Sequence, residues 1–498
     1  MKITFTPEEI AFIEARGSSV PEVEAQFTYF EKGFPFADLQ RAATIGDGIK
    51  QMTAEEIAHY INVYEQKSKE LEILKFVPAS GAASRMFKEL QTIVNEKGPI
   101  ESEIVQKFRE NIKNFAFYSN LRRSYEKSGN SWESDINSDK IINIIAHLLE
   151  ETGLNYSNLP KALLQFHTYS NETRTALEEH FVEAARYARG KNNECKLHFT
   201  VSPQHLSGFQ ALAESKKAEY EERYNVRYQL SYSTQDPATD TLAATEENLP
   251  FHDSKGNLLF RPGGHGALIQ NLNHLSADIV FVKNIDNVIT ENQISDTVTY
   301  KKALAGYLLW LQEKSFAYQE KCKKAQLTDD ECLEIQHFAE EKLQIVFSSP
   351  NATQNEILAQ LHRPIRICGM VKNEGEPGGG PFWVKSCDGA ISCQIIESSQ
   401  IDKKSESQKK IMENATHFNP VDMVCGYRDK EGLTFDLTQF IDPNTGFISE
   451  KSHEGKKLKA MELPGLWNGA MAHWITLFVE VPLTTFHPVK TVFDLLKH

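Results

Sequence analysis

The feature that most constrains the fold is an alternation of strand-like and helix-like stretches. A short apolar run, Ile73, Leu74, Phe76 and Val77, ends in the turn residues Pro78-Ala79-Ser80-Gly81, which is the pattern of a buried strand in a parallel sheet. The next residues, Ser84-Arg85-Met86-Phe87-Lys88-Glu89-Leu90, can start a helix. Residues 172–189 read as a second helix, because Thr175 and Glu178 are spaced as a capping box, Leu177, Phe181, Ala184 and Ala188 share one face, and Gly190 ends it. Strands are expected at Leu197, Phe199 and Val201, at Val226, Tyr228, Leu230 and Tyr232, and at Ile279 to Val282, with long helices over 296–323 and 328–346. Such alternation predicts an α/β chain with a mixed, mostly parallel sheet.

Flanking this core, residues 1–70 read as a polar helical region, with helix starts at Thr6-Pro7-Glu8-Glu9 and at Thr53-Ala54-Glu55-Glu56. From Arg366 onward short strands and turns dominate, including the glycine-proline loop Gly375 to Pro381. The expected division is a helical region over 1–70, an α/β core over 71–365 and a strand-rich part over 366–498.

At 498 residues, with 40% apolar and 24% charged residues, the chain can bury a sizeable core without staples. A formal net charge of −14 argues against a dedicated nucleic-acid binder, but leaves phosphate ligands open, since a few local cations and backbone N–H groups suffice for them. Seven cysteines without a CxxC pair fit a reducing compartment. Neither a signal-peptide pattern nor a run approaching ~20 apolar residues is present, so the expectation is a cytoplasmic protein with no membrane partner.

Five segments could carry chemistry. Ser80-Gly81-Ala82-Ala83-Ser84-Arg85 leads from a strand toward a helix through small residues, so backbone N–H groups could reach phosphate oxygens and Arg85 could add a charged contact. The plain alternative is a tight turn carrying a surface arginine. Lys161, after Pro160, is by itself an ordinary exposed lysine. Arg261-Pro262-Gly263-Gly264-His265-Gly266 has little steric bulk and suits close backbone approach to a ligand, although a lone loop histidine is more often structural. Asn284-Ile285-Asp286-Asn287 follows an apolar strand, where open α/β sheets bind ligands, and Asp286 suits Mg²⁺; its plain alternative is an Asx turn. Phe486-His487-Pro488-Val489-Lys490 alone is a turn with an exposed lysine.

Taken in order, these segments resemble the UDP-sugar pyrophosphorylases. Ala79 to Met86 is similar to that family's nucleotide loop, with Ala83 where the family has glycine; Pro160-Lys161-Ala162-Leu163-Leu164 is similar to its P-K-x-L-L segment; and Pro262 to Gly266 is similar to its glycine-histidine loop. Asn284 to Asn287 looks like N-x-D-N, Cys368-Gly369 with Ile396-Glu397 resembles a sugar-contacting strand pair, and Phe486 to Lys490 with Asp494-Leu495-Leu496 is similar to F-x-P-V-K and D-L-L. The strings PASGAASRMF and FRPGGHGALI also mark an uncharacterised bacterial family related to it. The resemblance runs from about residue 75 to 496.

The resemblance implies a nucleotide-diphospho-sugar transferase fold of the GT-A type, and an enzyme that joins a nucleoside triphosphate, UTP favoured, to a sugar 1-phosphate with Mg²⁺. It places Ser80, Gly81, Ala82, Ala83, Ser84, Gln235, Gly264 and His265 on the nucleotide, Asn284 and Glu397 on the sugar, and Asp286 on the metal. Arg85, Lys161 and Lys490 would act on the phosphates. Two other readings share the general fold. A glycosyltransferase usually holds its metal in an acidic x-D-x-D-type cluster, and none stands out. A nucleotide-sugar-binding protein without turnover draws its support from Ala83.

Overall fold

The computed structural model describes residues 3–81, 83–324, 326–375, 378–387 and 389–497. Ala82, one of the nucleotide-loop residues, lies outside them, as do Glu376 and Pro377 of the glycine-proline loop. The chain forms two compact units, each gathered from separated stretches: Met1–Glu72, Gln235–Val282 and Tyr300–Leu483 in the first, and Ile73–Thr234, Lys283–Thr299 and Thr484–His498 in the second.

The first unit is built on a mixed sheet. Strand Ile365–Lys372 pairs in parallel with Ile475–Glu480 and antiparallel with Asp422–Gly426. Seven of its eight residues are buried, which explains the near-continuous apolar run Ile365, Ile367, Cys368, Met370 and Val371. Arg366 breaks that run; it donates from Nε to Thr476 Oγ1 at 2.9 Å and from Nη1 to the Trp467 carbonyl at 2.7 Å, while its Nη2 is buried with no hydrogen-bond partner among the described residues. A second, antiparallel sheet joins Asp38–Ala42, Gly380–Lys385 and Ile391–Ile396. A hairpin pairs Phe447–His453 with Lys456–Glu462 through Glu454 and Gly455, both at positive φ, as a two-residue turn matching strand twist requires.

The N-terminal stretch is less purely helical than its sequence suggests. Helices Pro7–Ala15, Val20–Lys32 and Ala54–Lys67 each begin with a complete capping box, at Thr6–Glu9, Ser19–Glu22 and Thr53–Glu56. Between them lie the strands Asp38–Ala42, Thr44–Ile45 and Gly48–Lys50. Leu39 and Ala42 stand three apart, a helical spacing, yet both are buried in a strand. A register shift between Leu39 and Arg41 supplies the extra residue that puts them on one face.

The second unit holds a parallel sheet of Ile73–Pro78, Glu194–Thr200 and Arg227–Ser233, with helix Leu206–Tyr224 connecting the last two. The expected α/β architecture is therefore present, and its sheets together are mixed. The helix expected after Gly81 begins only at Lys88, behind a single 3-10 turn, Ala83–Arg85.

Helix Ala176–Tyr187 has the expected Thr175–Glu178 capping box and the expected apolar face. Its Glu178, Glu179, His180 and Glu183 are buried as well. Glu183 accepts from Lys75 Nζ at 2.5 Å, Lys283 Nζ at 2.6 Å and the Tyr187 hydroxyl at 2.8 Å. Burial alone would raise the Glu183 pKa, but the two ammonium groups override it and hold the carboxyl well below its ordinary value. His180 Nε2 lies 3.2 Å from the Ile285 carbonyl, an arrangement that assigns the proton to Nε2. Burial and the nearby Lys75 keep this imidazole neutral.

Candidate functional site

In the second unit, strand Ile73–Pro78 delivers the Ala79–Phe87 turn. Ser80, Gly81, Ser84 and Arg85 are exposed, and Arg85 makes no ion pair among the described residues. Ala83 differs from its expected role. It is fully buried, and its N–H donates to the Leu159 carbonyl at 3.0 Å, so it is not free for a phosphate. Its methyl group likewise points into the core and does not narrow the exposed side of the turn.

Three segments converge on Asp286. Lys161 follows Pro160 in a single 3-10 turn and donates from Nζ to Asp286 Oδ2 at 2.7 Å and to the Val489 carbonyl at 2.6 Å. Lys490 reaches the same carboxylate oxygen at 3.1 Å. Backbone bonds fix the arrangement: Val489 N–H donates to the Asp286 carbonyl at 3.0 Å, and Ile285 N–H to the Pro78 carbonyl at 3.3 Å. Asn287 Oδ1 accepts from His487 N–H at 2.9 Å, and Asp494 Oδ2 accepts from the N–H groups of Lys490 at 3.0 Å and Thr491 at 2.7 Å. Asn284, half-buried, heads the turn and accepts Asn287 N–H at 3.2 Å.

The electrostatics follow from this crowding. Burial raises the Asp286 pKa, and Lys161 and Lys490 reverse the effect, so the group stays an anion below its ordinary value. Burial lowers the Lys161 pKa, and Asp286 restores only part of it. The Lys161 side chain is 12% exposed and that of Lys490 is 59% exposed, so the first is enclosed in the site and the second borders solvent. Both lysines occupy Oδ2; Oδ1 of Asp286 engages no described residue. One open carboxylate oxygen fits Mg²⁺, which is commonly held by one or two carboxylates with phosphate oxygens completing its shell. Among the described residues there is no group of three or more His, Cys, Asp or Glu that could hold a metal without such help.

The first unit holds the remaining sequence candidates. The glycine loop approaches its own chain closely. A Cβ on Gly266 would lie 2.2 Å from the Pro464 carbonyl oxygen, and one on Gly264, at φ +76°, would lie 2.8 Å from Glu462 Oε2. His265 stacks on Trp467, with ring centroids 4.0 Å apart and planes 8° from parallel. Its Nδ1 accepts from Leu466 N–H at 3.0 Å, which leaves the proton on Nε2, 3.9 Å from Glu397 Oε1. Burial lowers the His265 pKa to about 4 and, with Glu462 nearby, raises that of Glu397 despite a hydrogen bond from Asn468. The pair thus offers a neutral N–H donor beside a carboxylate, a combination suited to hydroxyl groups. Gln235 donates to Asp240 Oδ1 at 3.3 Å, and Asp240 also pairs with Arg16.

Sequence reasoning did not single out Trp467, Asn468 or Glu462. The signal for the first two was the turn-rich string Pro464-Gly465-Leu466-Trp467-Asn468-Gly469, where a large aromatic sits among small residues. The roles of Asn287 and Asp494 as clips of the Asp286 and Lys490 segments were equally unread.

Residues 6–498 match the model of a family described as "Domain of unknown function (DUF4301)". No curated protein matches the sequence. Among solved structures, the chain is similar to a mutant UDP-glucose pyrophosphorylase from Leishmania major, at 12% identity over 99% of this chain and 79% of that one, with a TM-score of 0.45. It is also similar to the uridine diphosphate N-acetylglucosamine pyrophosphorylase from Trypanosoma brucei, at 11% identity over 96% and 74% of the two chains, with a TM-score of 0.49. A UDP-glucose phosphorylase from Trypanosoma brucei gives 13% identity, 98% and 76% coverage and a TM-score of 0.43. No helix among the described residues is long and apolar enough to cross a membrane.

Proposed function

The chain belongs to the DUF4301 family, and from its own residues we propose that it is a nucleotidyltransferase of the GT-A type, which joins a nucleoside triphosphate, UTP favoured, to a sugar 1-phosphate and releases pyrophosphate. The observation that carries this reading is the convergence of Lys161 and Lys490 on one oxygen of the buried Asp286 at the end of a strand. Two cations and one carboxylate with a free oxygen suit a metal-bound polyphosphate better than a neutral ligand. The ordered run of motifs from residue 75 to 496 adds the sugar-phosphate half of the reaction.

In this reaction an oxygen of the sugar phosphate attacks the α-phosphorus in line. A new P–O bond forms there as the bond to the bridging α–β oxygen breaks, and the electron pair leaves on pyrophosphate. The protein's task is positioning and charge neutralisation. Lys161, held by the Val489 carbonyl, offsets charge on the phosphates, as does the more exposed Lys490. Backbone N–H groups of the exposed residues Gly81 and Ser84, with Arg85, cradle the triphosphate. Asp286 would hold Mg²⁺ through its free oxygen, and the ion would neutralise phosphate charge. Asn284, two residues before Asp286 in the same turn, is assigned to the sugar.

The test is pyrophosphate release with Mg²⁺ across a matrix of nucleoside triphosphates and sugar 1-phosphates. Release that requires one particular pair establishes the activity and names both substrates. Absence of release from every pair, in folded protein, sinks it.

Lys161→Ala is expected to cut turnover about a hundredfold or more. The Lys161 pKa is lowered by burial, so its positive charge is lost as pH rises before an ordinary lysine at 10.5 would titrate. Triphosphate affinity should therefore fall on the alkaline side, and Lys161→Arg, which stays charged, should flatten that limb. Identical pH profiles of the dissociation constant in both proteins would remove Lys161 from the phosphates.

A further inference from the structure

The first unit contains a cavity of about 800 Å³, within the ~300–1,000 Å³ range of small-molecule pockets. It is lined by none of Gly263 to Gly266, nor by Glu397. It lies instead at the amino-terminal ends of the parallel pair Ile365–Lys372 and Ile475–Glu480, where Arg363, Trp474 and Ile475 line it. Ligands of open α/β sheets ordinarily sit at the opposite, carboxyl ends.

Its lining includes a cation without a carboxylate partner. Arg363 uses Nε on the Gln360 carbonyl at 2.9 Å, while Nη1 reaches the His473 carbonyl only at 3.5 Å. Asp38 and Asp442 line the same cavity, yet no described carboxylate pairs with this guanidinium. Burial without a counter-charge lowers its pKa to about 10. The Nη1–Nη2 edge is thus a fork with no anion to grip. The same cavity has apolar lining in Phe34 and Val384. Two further lining residues, Phe36 at 57% and Val346 at 46% exposure, are large apolar groups left in solvent, as expected where a ligand covers them.

We propose that this cavity is a second ligand site, which takes a small amphipathic organic anion. Its carboxylate, phosphate or sulfonate meets the Arg363 fork, and its apolar body lies against Phe34 and Val384. The proposal is independent of the nucleotidyltransferase reading, because no residue of the Asp286 cluster takes part.

The probe is anilinonaphthalene sulfonate, an aromatic anion of suitable size, titrated into the full chain by fluorescence and calorimetry. One saturable site is expected. The uncharged phenylnaphthylamine should bind at least about tenfold more weakly, as should the sulfonate to Arg363→Leu, since hydrogen bonds to a charged group are lost in both cases. Ala472→Phe, which places a ring in the cavity, should abolish the site. Non-saturable binding overturns the proposal. So does full affinity in both variants, or equal affinity of the wild type for the charged and uncharged probes.

Discussion

Asp286→Asn is expected to lower magnesium-dependent pyrophosphate release by at least about a thousandfold, with the fold intact. The amide has the shape of the carboxylate and still accepts a hydrogen bond from Lys161. What disappears is the negative charge that Lys161 and Lys490 share and the anionic oxygen available to a metal. The substitution therefore has a second, opposite effect. Two ammonium groups lose their internal counter-charge, so a triphosphate without metal should bind more tightly than to the wild type. Release activity is measured with Mg²⁺, and the dissociation constant of the triphosphate with a chelator. Full activity would remove Asp286 from the reaction. Unchanged metal-free affinity would instead remove the lysines from the phosphates.

Glu183→Ala should destabilise the second unit by about 3–5 kcal/mol, because it strands two buried lysines. Lys75 and Lys283 are 0% and 1% exposed, so neither can turn to water for compensation. Glu183→Gln keeps hydrogen bonding, loses the charge and should fall between. The chain has two units, so the readout is the denaturant midpoint of the transition that exposes this helix, followed by hydrogen exchange of Ala176–Tyr187. A midpoint unchanged in Glu183→Ala would mean the lysines find other partners.

The same network sets an acid profile. His180 has a folded pKa depressed well below 6.5, so below about that pH the unfolded chain takes up a proton that the fold refuses, and stability declines. Glu183, depressed below 4.5, contributes fully above that value and loses its contribution as pH falls toward its folded pKa. Acid destabilisation should therefore come in two stages, and Glu183→Gln should have a smaller second stage.

Local features were the legible part of this sequence. Capping boxes at Thr6, Thr53 and Thr175 mark helix starts through short-range hydrogen bonds that four residues specify completely. The run Ile73 to Val77 reads as a buried strand because burial on both faces demands continuous apolarity. Long-range polar burial was not legible. Glu178, Glu179 and Glu183 look like a solvated helix face, and only partners distant in sequence, Lys216, His167 and Lys283 among them, turn that face into an interior one.

The candidate site shows the same limit. Asp286, Lys161 and Lys490 were each readable as motif residues, but their meeting on a single oxygen is a fact of three dimensions. Ala83 was misread in the other direction. A small residue in a turn suggested an open backbone, yet its N–H is taken by Leu159, a partner no local pattern announces.

The separation of these groups along the chain also has a consequence in time. Asp286 and Lys490 are 204 positions apart. At synthesis speeds of about 5–20 residues per second, the second is made roughly 10–40 s after the first. Through that interval a nascent chain carries Asp286 with Lys161 but without Lys490, and without Val489, whose carbonyl fixes the Lys161 ammonium. The buried carboxylate is thus only half-neutralised until the later segment joins it.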